Sequence, residues 1–311
     1  MLTSTDVRPR PSYRPYRVLV RSVVRLSPSF VRVTFTGADL ADFGTEGLDQ
    51  RVKVLLPLPG IGYGDFVDDP EVLATGAWYT RWRALPAQQQ NPIRTYTIRA
   101  VRPHLSEVDV DFVTHGDTGP ATAWVRRAQV GDQIVLVGPD AGSPDSRVGI
   151  EFNPGSATTL LLAGDETAVP AVSAILESLP EGTVAHAILE IPRAEDCLQL
   201  RLGSGITVDW LPRGAAPAGS RLDPAVRGWL AEHLSAGARA VAIEELSDID
   251  VDSALLWETP SEAPTGSLYA WLAGEAAVIK SLRRFLVRDC ELDRRQVAFM
   301  GYWREGKSEL S

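Results

Sequence analysis

Arg94-Thr95-Tyr96-Thr97-Ile98-Arg99 is the segment whose side chains could do the most chemistry. Its flanks read as an extended strand, in which alternate residues share a face, so Arg94 and Tyr96 point one way and Thr95 and Thr97 the other. A guanidinium forks onto phosphate oxygens, an aromatic ring stacks on a flat heterocycle, and a hydroxyl or backbone N–H bonds a ring nitrogen. Those groups together suit a flavin nucleotide. The same alternation also fits an ordinary strand with Arg and Thr outside and Tyr inside. A second signal follows it. Asp111-Phe112-Val113-Thr114-His115-Gly116 ends a strand, and Gly119-Pro120-Ala121-Thr122 opens a helix. A strand, a Gly-containing turn and a helix amino terminus form an anion site that a pyrophosphate would fit. His115 has no second His or carboxylate at metal-ligand spacing, so no metal site is expected.

Further along, Gly164-Asp165-Glu166-Thr167-Ala168 is a strand-to-helix turn whose backbone N–H groups could receive a nucleotide phosphate. It lacks the Gly-x-Gly-x-x-Gly pattern, and an N-capped helix with Asp165 or Thr167 as the cap explains it equally well. Glu190 ends the next strand, where an acid can bond a ribose hydroxyl, while Arg193 close behind could take a 2′-phosphate; NADH and NADPH both stay open. Trp271-Leu272-Ala273-Gly274-Glu275 repeats the strand-to-helix design, with Trp271 also fitting a core position. Trp303 lies just past the last strand, where its ring could cover a flavin or nicotinamide face.

These residues need elements to hold them. Before residue 139, β-branched runs at 15–25, 30–36, 51–57, 94–102, 107–115 and 133–138 are punctuated by Gly, Pro and Asp, which predicts a six-stranded antiparallel barrel. Residues 58–92 are a long insertion, read as a lid or as mobile chain. Turn formers crowd 139–157, so the boundary is placed between domains 1–150 and 151–311. Beyond it, strands near 160–164, 184–190, 240–243, 268–273 and 296–301 alternate with helices at 168–179, 224–234 and 276–289. That alternation predicts a parallel-sheet α/β domain. The acidic run 244–252 reads as a solvated loop.

A chain of 311 residues with 44% hydrophobic content has room for two cores. A net charge of −9 argues against a nucleic-acid binder, although residues 1–36 carry seven Arg against the single Asp6. Cys197 and Cys290 are too few for a disulfide framework and are expected as core residues in a reducing cytoplasm. No apolar run reaches the roughly 20 residues of a membrane span, and the Arg/Pro-rich start has no signal-peptide core.

The pair "RTYTIR" and "DFVTHGDTGPATAW" resembles the FAD-binding portion of siderophore-interacting proteins, a branch of the ferredoxin-reductase-like flavoproteins. "QRVKVLLP", "LAGDETAVPA", "WLAGE" and "GYWREG" are similar to that branch as well, while 58–92 and 191–265 have no clear counterpart. The resemblance implies an FAD-binding β-barrel followed by an NAD(P)H-binding α/β domain. It also implies a reductase passing electrons from NADH or NADPH through FAD to a ferric siderophore, with a ferredoxin open as donor. It implies that Tyr96 stacks on the isoalloxazine, Arg94 holds the pyrophosphate and Thr97 meets the reactive ring nitrogen. His115, Gly119, Pro120, Ala121 and Thr122 then line the phosphates and ribityl chain, Thr122 standing where Ser is commoner. Asp165, Thr167, Ala168 and Trp303 fall to the nucleotide side. Only three of the 31 basic residues are lysines; since the family holds anionic chelates with basic side chains, Arg51, Lys53, Arg304 and Lys307 are the substrate candidates. A monomer is expected. The rival readings are a flavin reductase with another acceptor and a non-catalytic flavin or siderophore carrier.

Overall fold

The computed structural model describes residues 10–44, 46–114, 119–234, 257–259 and 266–306. They fall into two compact units: one runs to Arg25 and resumes over Phe30–Ile150, the other comprises the turn Leu26–Ser29 and the chain from Glu151 onward. His115, Lys307 and the expected strand at 240–243 lie outside the described residues.

The first unit is a curled antiparallel sheet of seven strands: β1 (Tyr13–Arg25), β2 (Phe30–Thr36), β3 (Arg51–Leu55), β4 (Ile93–Thr97), β5 (Ala100–Arg102), β6 (Glu107–Val113) and β7 (Gln133–Pro139). Their order is β4-β3-β7-β1-β2-β6-β5. The two edge strands, β4 and β5, are consecutive in the chain and separated only by Ile98 and Arg99. The three Cα–Cα steps from Thr97 to Ala100 reach about 10 Å, so the sheet must curl until its edges nearly meet. Ile98 N donates to Gln50 O and Arg99 N to Asp109 O, which ties the link to both sides. The expected six strands are therefore seven, because the run expected as one strand over 94–102 crosses from one edge to the other.

Alternation builds the core. Tyr16, Val18 and Val20 of β1, Val33 and Phe35 of β2, Val108, Val110 and Phe112 of β6, and Ile134 and Leu136 of β7 all point inward. Outside, β2, β6 and β5 are joined by the Arg32–Asp111 and Arg102–Asp109 pairs, both at 2.7 Å, and by Thr34 Oγ1 donating to Asp109 at 2.8 Å.

The insertion is a second layer on this sheet. Helix α1 (Pro70–Thr75) starts at an Asp69 cap with Pro at N1 and stops at Gly76, whose φ of 71° favours glycine. Helix α2 (Trp78–Arg83) follows. Phe66, Val67, Val72, Trp78 and Trp82 pack against Leu55, Ile93, Val135 and Val137, the outward residues of β3, β4 and β7. Trp82 Nε1 donates to Asn91 O, and Arg17 forks onto Asp68 at 2.8 Å. The lid or mobile segment expected over 58–92 is thus a packed outer layer, its apolar residues matching an outward face that would otherwise meet water.

The second unit has a six-stranded sheet of order β10-β9-β8-β12-β13-β11: β8 (Thr159–Gly164), β9 (Val184–Ile191), β10 (Ile206–Pro212), β11 (Trp257–Glu258), β12 (Leu268–Glu275) and β13 (Val297–Trp303). All pairs are parallel except β11 on β13. Helices α4 (Val169–Ser178), α5 (Leu222–His233) and α6 (Ala276–Arg284) accompany it, α6 running into a wider turn at Phe285–Asp289. The wholly parallel sheet expected here gains an antiparallel edge strand, and β10 was not expected at all. As an edge strand β10 lacks the continuous apolar run of a buried one: Ile206 is buried, while Thr207 and Asp209 are exposed. Cys197 is exposed and so is not the core residue expected, while Cys290 is half-buried and packs against the second unit's core.

Trp82 is 1% exposed at the centre of the outer layer. Trp82→Ala should destabilise the first unit by about 3–5 kcal/mol. A denaturant midpoint unchanged in that variant would mean that the insertion is not part of the packed unit.

Candidate functional site

In the first unit, register decides which candidates share a face. Tyr96 lies opposite Val52 and Arg94 opposite Val54, and both valines belong to the inner core; Thr95 lies opposite Lys53 and Thr97 opposite Arg51. Arg94 and Tyr96 therefore form one set, and Thr95, Thr97, Arg51 and Lys53 another. Lys53 Nζ donates to Thr95 Oγ1 at 3.3 Å. Thr97 is buried, whereas Arg51, Lys53, Arg94 and Tyr96 are each half-buried. β4 is an edge of the sheet, so one side of its backbone has no ladder partner among the described strands.

Tyr96 is held by Phe112, ring centroids 4.4 Å apart. Phe112 in turn meets Trp124 at 5.6 Å, and Trp124 stacks on Phe35 at 6.2 Å. Trp124 sits on α3 (Pro120–Val125), so this aromatic chain fixes the short helix against the core and brings it to the Arg94–Tyr96 face. Composition and motif spacing pointed to Arg94, Tyr96 and Thr122 but missed Phe112 and Trp124, whose only signal was an inward aromatic on a strand and on the helix after it. Gly119 is the N-cap of α3, and no side chain among the described residues caps it; Pro120 at N1 removes one orphan N–H. Among the described residues, a Cβ on Gly119 would meet nothing nearer than Thr122 Oγ1 at 3.9 Å. Ala121 and Thr122 are mostly buried under it. An aromatic platform, a guanidinium and an uncapped helix start fit the ring and pyrophosphate of FAD.

In the second unit, β9 and β10 extend to one side of β8, and β12 and β13 to the other. The chain reverses its order between β8 and β12, the place where open α/β sheets bind ligands. Asp165 follows β8 there and is 1% exposed. Its Oδ1 accepts from Thr167 N at 2.9 Å and Thr167 Oγ1 at 2.5 Å, and its Oδ2 from Glu275 N at 2.8 Å and Trp303 Nε1 at 2.7 Å. Gly274 makes room: its φ is 151°, and a Cβ there would sit 2.6 Å from Asp165 Oδ2. Asp165, expected in the nucleotide site, thus uses both oxygens to fix Thr167, Trp303 and the end of β12. Glu275 caps α6 through Ala277 N and Val278 N. Trp271 is core, fully buried. Arg304 is half-buried after β13.

Burial, and then the charge of adjacent Glu166, push the Asp165 carboxyl up to about 6. With the folded value above the unfolded one, folding favours the protonated form. This group's contribution to stability is complete below about pH 4 and is lost as pH rises through about 6. Protonation also removes an acceptor from a carboxylate holding four donors, so Trp303 should be less firmly held on the acid side. The fluorescence difference between wild type and Trp303→Phe is expected to titrate with a midpoint near 6; a flat difference, or one unaltered by Asp165→Asn, would count against this linkage.

Known proteins resemble most of the chain. Residues 19–143 match the family model of the siderophore-interacting FAD-binding domain, and 157–306 that of siderophore-interacting protein. The chain is 30% identical over 292 residues to the ferric vibriobactin reductase ViuB of Vibrio cholerae, covering 91% of this chain and 87% of that one. It is 26% identical over 299 residues to the NADPH-dependent ferric-chelate reductase of Escherichia coli, covering 95% of each. The crystal structure of the siderophore-interacting protein SipS from Aeromonas hydrophila matches with a TM-score of 0.65 and 28% identity, over 96% of this chain and 95% of that one. Motif, fold and full-length similarity agree, and the chain belongs to the siderophore-interacting protein family.

Proposed function

We infer that this chain is an FAD-dependent reductase of ferric siderophores, a monomeric cytoplasmic protein that takes electrons from a nicotinamide nucleotide and releases Fe(II) for assimilation. The observation that carries the reading is the Arg94–Tyr96 face joined through Phe112 and Trp124 to α3, in a chain with relatives named as ferric reductases.

FAD supplies the conversion of a two-electron hydride into single electrons. The protein's part is to hold and to position. Tyr96, backed by Phe112, gives the isoalloxazine a flat apolar seat; Arg94 sets a forked cation on the same face for the pyrophosphate; the amides at the start of α3 add donors and a positive dipole end. Thr97 carries its hydroxyl on the opposite face of the strand from the Tyr96 seat, so a bond from this residue to the ring nitrogen that takes the hydride would come from its backbone and not from its side chain. Arg51 and Lys53 put positive charge on that face of β3, suited to an anionic chelate. Oxygen-rich chelators prefer hard Fe(III), so reduction weakens the complex and frees the metal without a protein ligand to iron. Thr167, Ala168 and Trp303 serve the nucleotide at the switch point between β8 and β12.

Anaerobic spectra test this directly. Flavin bands that bleach with NADPH or NADH, and return as a ferrous trap fills after a ferric catecholate or hydroxamate is added, are the expected result. A protein that will not take up FAD would overturn the reading; bleaching without chelate reduction would favour a different acceptor, and a flavin untouched by either nucleotide would point to a protein donor such as a ferredoxin. Tyr96→Ala should weaken FAD retention by about tenfold or more, as loss of an aromatic contact of ~1.4 kcal/mol implies. Lys53→Ala should raise KM for the chelate several-fold while flavin content holds, as expected of a half-buried cation in an ionic contact.

A further inference from the structure

We propose that Asp165 is a positioning residue for the nicotinamide step: its carboxylate holds the Trp303 indole in place, and a proton on that carboxylate slows reduction of the flavin. The proposal rests on the reading that a nicotinamide nucleotide is the donor, and adds a residue that acts on this step through another side chain.

Three features of the second unit converge on one contact. Between β12 and β13 the register slips: Gly274 lies opposite Gly301, but Glu275 lies opposite Trp303, so Tyr302 is an extra residue on β13. A bulge of this kind re-aims the side chains beside it, and such bulges are common next to active sites. Tyr302 goes edge-on to the fully buried Trp271, ring centroids 6.3 Å apart, while Trp303 reaches Asp165, its Nε1 donating to Oδ2 at 2.7 Å. Gly274, with its φ of 151°, is the second feature, because a Cβ there would sit 2.6 Å from the same Oδ2. Glu275 is the third. Its N donates to that oxygen at 2.8 Å, and its Oε1 accepts from Glu305 N at 3.4 Å, which ties down the chain on the far side of Trp303.

The other oxygen holds Thr167, through its N–H at 2.9 Å and its hydroxyl at 2.5 Å. One buried carboxylate thus fixes two of the residues proposed to serve the nucleotide, and while it is ionised all four partners donate to it. A proton changes that balance. The Thr167 hydroxyl can turn and accept it, but two amides and an indole cannot, and a neutral carboxyl offers uncharged acceptors whose bonds are about half as strong. Trp303 is half-buried, so a weakened bond lets its ring shift. Hydride transfer is sensitive to such shifts, because the reacting atoms must be held about 3–3.5 Å apart. The hydride carries its own proton and both electrons from nucleotide to flavin, so the carboxyl proton is not a reactant and acts through what Asp165 holds. The charged groups around Asp165 have partners of their own. Glu166 takes both terminal nitrogens of Arg213 at 2.6 Å, Glu190 accepts from the amides that open α5, Glu275 Oε2 caps α6, and Arg304 and Glu305 follow Trp303 in the chain. With the carboxyl pushed up to about 6 by burial and the Glu166 charge, both states of Asp165 occur close to neutral pH.

Anaerobic stopped-flow mixing of the FAD-loaded protein with saturating NADPH, and with NADH, from about pH 5 to about pH 8 tests this. The wild-type bleaching rate should rise about fivefold with a midpoint near 6, as expected when a neutral hydrogen bond becomes a charge-assisted one. Asp165→Asn keeps the shape and loses the charge; Trp303→Phe keeps a ring and loses the N–H. Each should be flat in pH at about the acid-side rate, and the double variant should be no slower than either, because both changes remove one contact. A pH profile that either variant shares with wild type, or losses that multiply in the double variant, overturns the proposal. Should Asp165→Asn fail to accumulate, Trp303→Phe decides alone. Calorimetry with NADP+ separates this inference from the choice of donor. If neither nucleotide bleaches the flavin, the proposed donor falls, and Asp165 keeps its positioning role where both variants weaken NADP+ binding on the neutral side and leave it unchanged on the acid side; equal binding throughout overturns that role too.

Discussion

A carboxylate that enters a protein interior must be met by donors or be protonated, and this constraint organises the carboxyl ends of the second sheet. Asp165, Glu166, Glu190 and Glu275 are all nearly or fully buried there, and each is answered differently. Asp165 takes two amides, a hydroxyl and an indole; Glu166 takes an arginine; Glu190 and Glu275 take the amino ends of helices. The answers fix the loops. Gly274 has to be glycine because Asp165 reaches across the switch point to the end of β12, and Trp303 is placed because the same oxygen accepts its N–H. Of the four, only Asp165 lacks both a direct cation and a helix end. Its ionisation is pushed up to about 6, into the range where proton concentration in a cell can vary.

The first unit is organised by alternation. One face of every strand goes to the inner core, and in β3, β4 and β7 the other face is apolar enough to need its own cover, supplied by the insertion. Phe112 is the hinge between core and candidate site, touching both the ring of Tyr96 and the Trp124 that anchors α3. The two parts of the proposed flavin seat are therefore related through rigid aromatic contacts rather than through loops.

Much of this was legible in the sequence, for a physical reason. Strands with period-2 patterns bounded by turn residues appear near their expected places, and Arg94 and Tyr96 share a face as alternation requires. The break at Ile98-Arg99 was invisible because no Gly or Pro marks it: the chain stays extended while changing sheet edges. β10 escaped because an edge strand need not be apolar throughout, and the cover over β3, β4 and β7 because an insertion's composition does not reveal which surface it will meet. Least legible were the roles of Asp165 and Glu190. The partners of Asp165 include Glu275 and Trp303, and those of Glu190 lie at the start of α5, so neither set of bonds exists until the sheet has assembled.

The same two strands, β3 and β4, present chemically distinct faces, and this bears on how the proposed activity divides. Arg94 and Tyr96 stand with the inner-core valines, Arg51 and Lys53 with Thr95 and Thr97, and the strand backbone lies between the two sets. Side chains on opposite faces of a pleated strand are separated by the backbone itself, so a substitution on one face disturbs the other mainly through shifts of that backbone. Packing limits such shifts here: Val52 and Val54 are fully buried on one side, Leu55 and Ile93 are packed under the insertion on the other. The outer layer thus bears mechanically on the proposed site. By clamping β3 and β4 from outside, it keeps an aromatic seat and a cationic face at fixed separation, which a two-stranded edge left bare to water would not do.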